Sequence, residues 1–138
     1  MRVTERVMRI GNPEERGVPI PLLTLEEFFE GNDATGSIGS NLPAEPVPCA
    51  FYDLLRTLRA RDDVADVLIQ ITAVDDPGVE WPFSDHIWFI TTADRTSVRN
   101  WFPDELAPDE VWDNPLPSPT YEKVLIPDGH DSVSAWFD

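Results

Sequence analysis

The sequence predicts an α+β domain: an antiparallel sheet of four to five strands with two main helices on one face, in ferredoxin-like βαββαβ order with loop insertions. Three observations predict it. Two apolar runs, 67–74 and 86–92, alternate with the period of a strand and are separated by a turn-rich stretch. Phe51, Leu54, Leu55 and Leu58 stand at i, i+3, i+4 and i+7, which gives a helix an apolar stripe. The order along the chain then reads strand, helix, strand, strand, helix, strand.

The first element, Arg2 to Ile10, fits two periods, and its β-branched residues followed by Gly11-Asn12-Pro13 favour a strand. Pro19 to Leu23 is extended. Thr24 and Glu27 have the spacing of a capping box, so a short helix is expected over 25–30, stopped by Gly31-Asn32. The stretch 31–48 is rich in Gly, Pro, Ser and Asn without apolar periodicity and reads as a long loop. Pro48 opens the striped helix, whose end is marked by Arg56, Arg59 and Arg61 and closed by Asp62-Asp63.

In the run 67–74, Val67, Ile69, Ile71 and Ala73 share one face, and Leu68, Gln70, Thr72 and Val74 share the other. The run 86–92 follows after a turn segment, which predicts an antiparallel hairpin with a long tip. Thr92 or Asp94 caps the next helix, ended by Pro103. Residues 103–120 hold five Pro and five acids and read as a non-regular excursion. Lys123 to Ile126 and Ser132 to Phe137 are expected to pair as closing strands around Pro127-Asp128-Gly129. A single domain over 1–138 is expected, with 1–45 as an N-terminal extension and 46–138 as the core.

Charge is the strongest constraint on function. There are 26 acidic against 10 basic side chains, a net charge of -16, and residues 62–94 carry eight acids and no base. Such a surface repels nucleic acid and anionic membranes and attracts basic proteins or cations. Nine of the ten basic residues are Arg, so the acidity also fits a salt-adapted or GC-rich genome. No segment approaches 18 consecutive apolar residues, and 1–11 lacks the apolar stretch of a signal peptide. One cysteine, Cys49, excludes an internal disulfide and points to a cytoplasmic, reducing setting; it reads as a small buried apolar residue or, less simply, a thiol at a helix start.

Chemical motifs are sparse. Ser84-Asp85-His86 has the residue types of a hydrolase triad, but consecutive strand residues point to opposite faces. Two His and one Cys are too few for zinc, and the Asp clusters do not match a calcium loop. No cofactor or metal is expected. The most suggestive surface is the tip 75–85, where Trp81 and Phe83 stand among Asp75, Asp76 and Asp85 as aromatic anchors with an acidic rim. The excursion repeats this pattern around Trp112. The competing placement folds these aromatics back over the sheet.

The leading expectation is therefore a small acidic intracellular interaction domain, of inhibitor, immunity or adaptor type, that binds a basic protein through Trp81, Phe83, Trp112, Asp75, Asp76 and Asp85. A ligand-binding or enzymatic pocket beside loop 31–48, lined by Ser37, Ser40, Asn41 and His86, is the alternative. A homodimeric structural domain is a third.

Overall fold

The computed structural model describes Val7 and residues 20–43, 46–74, 81–116 and 124–138. The strands are β1 (Leu22–Thr24), β2 (Val64–Gln70), β3 (His86–Thr91), β4 (Glu110–Asp113) and β5 (Asp131–Trp136). The helices are α1 (Leu25–Phe29), α2 (Pro48–Arg59) and α3 (Arg95–Asn100), with a 3-10 turn at Asp104–Leu106. The α+β class and the five-stranded antiparallel sheet are as the sequence predicts.

Local sequence accounts for the helix starts. Thr24 Oγ1 accepts the Glu27 N–H at 3.1 Å while Glu27 Oε1 accepts the Thr24 N–H at 3.0 Å, so both orphan donors of the α1 terminus are satisfied. Pro48 occupies the first turn of α2, where its missing N–H costs nothing. Asp94 rather than Thr92 caps α3, accepting the Ser97 N–H at 2.8 Å. Glu26 of α1 and Arg59 of α2 clasp the two helices with a two-pronged ion pair, both contacts at 2.7 Å.

The strand order is β1-β2-β3-β5-β4, and every neighbouring pair is antiparallel. This differs from the ferredoxin-like order. A split βαβ unit sets two parallel strands on either side of a third, whereas β1 and β2, linked through α1 and α2, lie side by side and antiparallel.

Parity fixes the two faces as expected as far as Ile71. Val74, expected beside Leu68, packs in the main core instead, because β2 ends at Gln70 and the alternation stops there. Val67, Ile69 and Ile71 join Ile87, Phe89, Val133 and Ala135 against Phe51, Leu55, Leu58 and Val98 in the main core. Leu22, Leu68 and Trp88 form a smaller cluster on the opposite face, covered in part by Leu116 and Val124. Cys49, expected to be buried, is exposed because it lies off the Phe51-Leu55-Leu58 stripe of α2.

Three further elements correct the sequence expectation. Val7, expected within a strand, is helical and buried against the main core; the rest of that segment lies outside the described residues. The central strand starts at Val64 rather than Val67 and ends at Gln70, with an irregularity between Val64 and Asp66. The partner of β5 on its outer side is Glu110–Asp113, from the excursion, and not the stretch ending at Ile126. A strand has two edges, and those of β5 are taken by β3 and β4, so Leu125 and Ile126 stay exposed.

Candidate functional site

Two clusters of polar and aromatic side chains stand out among the described residues, both anchored on β5. The first gathers Thr72, Asp85, His86 and Trp136. Asp85 sits one residue before β3, so strand parity does not govern it, and its carboxylate turns onto its own neighbour: His86 Nδ1 donates to Asp85 Oδ1 at 2.7 Å. The Thr72 hydroxyl donates to the same oxygen at 2.5 Å, and the Trp136 side chain supplies another bond. Burial pushes the Asp85 carboxyl up, but the bonds from His86 and Thr72, the His86 charge and the Trp136 bond outweigh it and hold the group below its ordinary value. Asp85 and His86, expected to point to opposite faces, therefore meet. The buried Ser84 hydroxyl donates to the His86 carbonyl at 3.1 Å and not to the imidazole.

The second cluster is the corner where β4 meets β5. Glu110 lies opposite Trp136 and Trp112 opposite Ser134, so Glu110, Trp112, Ser134 and Trp136 share one face. The Trp112 and Trp136 rings stack at 5.9 Å with 20° between their planes. Both indoles are half-buried, while Asp109, Glu110, Asp113 and Asp138 are exposed. Asp109 reaches along the same corner to accept the Asp138 N–H at 2.7 Å. Opposing charge comes from α3: Arg95 lies 3.9 Å from Asp113, and Arg99 donates to the Asp109 carbonyl at 3.2 Å. Two guanidinium groups thus face four carboxylates.

Of the expected contact residues, Trp112 and Asp85 lie in these two clusters. Trp81 and Phe83 fold back. The Trp81 indole donates to the Phe28 carbonyl at 2.8 Å and its ring packs on the main core. Phe83 is half-buried, with its backbone paired to Ala73. Asp75 and Asp76 lie outside the described residues. Of the expected pocket residues, Ser37 is buried, accepts the Asn32 side-chain amide at 3.0 Å, and bridges through its carbonyl to Ser84. Ser40 and Asn41 are exposed in the turn. A depression of about 240 Å³ there is lined by Thr35, Gly36, Gly39 and Ser40, without His86, so the structure does not bring the four together.

Sequence reasoning missed Trp136, Glu110 and the α3 arginines as one group. A usable signal was present: Glu110-Val111-Trp112-Asp113 alternates as a strand does, with Val111 inward. Among the described residues no group of three His, Cys, Asp or Glu could hold a metal ion, and no helix is long and apolar enough to cross a membrane.

Comparison with known proteins follows the whole chain. The model of a family described as "Uncharacterized protein YfbO family" matches residues 1–135. A protein of Escherichia coli (strain K12), "Uncharacterized protein YfbO", is 41% identical over 137 residues, covering 99% of this chain and 96% of that protein. No solved structure matches. The chain belongs to the YfbO family.

Proposed function

For this member of the YfbO family we propose a protein-interaction role: an acidic domain that binds a basic protein, as an inhibitor, immunity protein or adaptor does. The observation that carries the reading is the stacked Trp112–Trp136 pair set among Asp109, Glu110, Asp113 and Asp138. Paired rings offer a rigid apolar anchor at small entropic cost, and the surrounding carboxylates steer a cationic partner and fix its register. The net charge of -16 adds long-range attraction. Cytoplasmic residence belongs to the same reading and is supported by a single, unpaired cysteine. The test is a pull-down from source-cell lysate at low and then high salt, repeated with Trp112→Ala. A stoichiometric basic protein that elutes with salt and is lost in the variant is the expected result. Retention that ignores both salt and Trp112 would refute it.

A second reading, a small-molecule or enzymatic site, is favoured by the Asp85–His86 pair. A carboxylate on Nδ1 fixes the orientation and tautomer of an imidazole, as in general-base sites. Substituting His86→Gln tests it: a chain that still folds, with turnover or ligand binding unchanged, would exclude His86 from any such role.

A further inference from the structure

We propose that β4 accepts an additional strand from the partner, an extended basic segment laid along its outer edge beside α3. The inference rests on the interaction reading above and specifies how that partner is held.

β4 is the last strand of the sheet, with no described strand on its outer side. Edge strands present unpaired N–H and C=O groups that template another chain. Between this edge and α3 runs a groove of about 340 Å³, lined by Arg95, Thr96 and Arg99 on one wall and Glu110, Val111 and Trp112 on the other. β4, whose outer side carries no strand among the described residues, thus forms one wall of the groove. The opposite edge is poorer: β1 has three residues, follows Pro21, and ends at the Thr24 cap of α1.

Charge selects the occupant. Asp109, Glu110, Asp113 and Asp138 outnumber Arg95 and Arg99, and Arg99 is already engaged with the Asp109 carbonyl. A second copy of this chain fits badly. The two-fold antiparallel pairing that uses all four residues of β4 sets Glu110 opposite Asp113 of the other copy, twice, and like charges directly opposite are destabilising. A strand with Arg or Lys at those positions turns both contacts favourable, and an apolar residue between them meets Val111 or Trp112. Main-chain bonds then supply affinity, and alternate side chains supply specificity.

The test uses the full chain, isotopically labelled, titrated at low salt with a peptide of repeating Arg-Val-Val, which sets Arg opposite both Glu110 and Asp113 and Val opposite Val111 and Trp112. A second peptide has the same sequence with every other amide N-methylated, made in both phases. Expected are amide shifts concentrated at 109–113 and roughly tenfold or greater weakening for one methylated phase, since lost ladder bonds cannot be replaced. If all peptides bind equally, or shifts lie elsewhere, strand addition is overturned while recognition of basic segments survives. If none binds, both readings fall. If sedimentation shows a dimer whose β4 amides are protected without peptide, the occupant is a second copy and the proposal is overturned.

Discussion

The carboxylate of Asp85 holds the imidazole of its own sequence neighbour, His86, at 2.7 Å, and the Thr72 hydroxyl meets the same oxygen at 2.5 Å. Asp85 thereby ties the end of β2, the start of β3 and, through Trp136, the end of β5. Burial raises its pKa, but the bonds from His86, Thr72 and Trp136 and the His86 charge bring it below its unfolded value. The unfolded state then binds the proton more tightly, so the contribution of Asp85 is complete above the unfolded pKa and is lost as pH falls through the folded one. Asp85→Asn should cost about 1–3 kcal/mol at neutral pH in urea unfolding. The gap from the parent chain should narrow under acid conditions. A gap of constant size from neutral to acid pH would show that the charge does not matter.

Asp66 should behave in the opposite sense. Burial is the main influence on it and raises its pKa despite the Val67 N–H that it accepts at 2.8 Å and the nearby Arg59. Its folded state holds the proton more tightly than the unfolded one, so stability declines as pH rises from the unfolded pKa through the folded one. Asp66→Asn keeps an acceptor for Val67 and removes the charge. It should be no less stable than the parent at neutral pH, against the about 1 kcal/mol that an average substitution costs. A loss of that size or more in thermal unfolding would contradict the assignment.

Two glycines separate backbone strain from crowding. Gly39 and Gly129 both have positive φ, +64 and +77. A Cβ at Gly39 would sit 2.8 Å from Phe51 Cζ and 2.9 Å from Leu42 Cδ1, whereas at Gly129 nothing lies within 4 Å. Gly129→Ala should cost only the left-handed penalty, about 1–2 kcal/mol. Gly39→Ala adds overpacking against a fully buried ring, for about 2–5 kcal/mol in total. Equal melting temperatures for the two variants would mean that the loop yields freely around Phe51.

What the sequence made legible was local. The Thr24–Glu27 capping box, the Phe51-Leu55-Leu58 stripe and the parity of Val67, Ile69 and Ile71 depend on residues a few positions apart, and each is found in the fold. Strand order was not legible, because it depends on which edges meet: Glu110–Asp113 reaches β5 across residues separated from it by more than a dozen positions. The dense prolines around this segment concealed its alternation. The Asp85–His86 contact was hidden by one assumption, that Asp85 already lay in the strand. The acidic-aromatic theme was visible around Trp112 as well as at the 75–85 tip; of the tip, Trp81 turns onto the Phe28 carbonyl and the core, and Asp75 and Asp76 lie outside the described residues.

The corner can be tested by taking area and charge away separately. Trp112→Ala removes an anchor ring but no charge, and Glu110→Gln removes a charge but almost no area. If the corner grips a basic segment, the first should weaken binding of the Arg-Val-Val peptide by about 2 kcal/mol, roughly thirtyfold, mostly through faster dissociation and at every salt concentration. The second should slow association mainly at low salt and flatten the salt dependence, because steering fades within a Debye length. Trp101→Ala provides the control: that ring sits under Arg61 at 4.3 Å and edge-on to Phe89 of β3 at 6.0 Å, so its loss should affect stability and leave affinity unchanged. Surface-exchange kinetics at two ionic strengths, with unfolding curves for each variant, would distinguish these effects. If Trp112→Ala and Trp101→Ala weakened binding equally, in step with their loss of stability, the Trp112–Trp136 stack would be a structural brace of the sheet edge and not a contact surface.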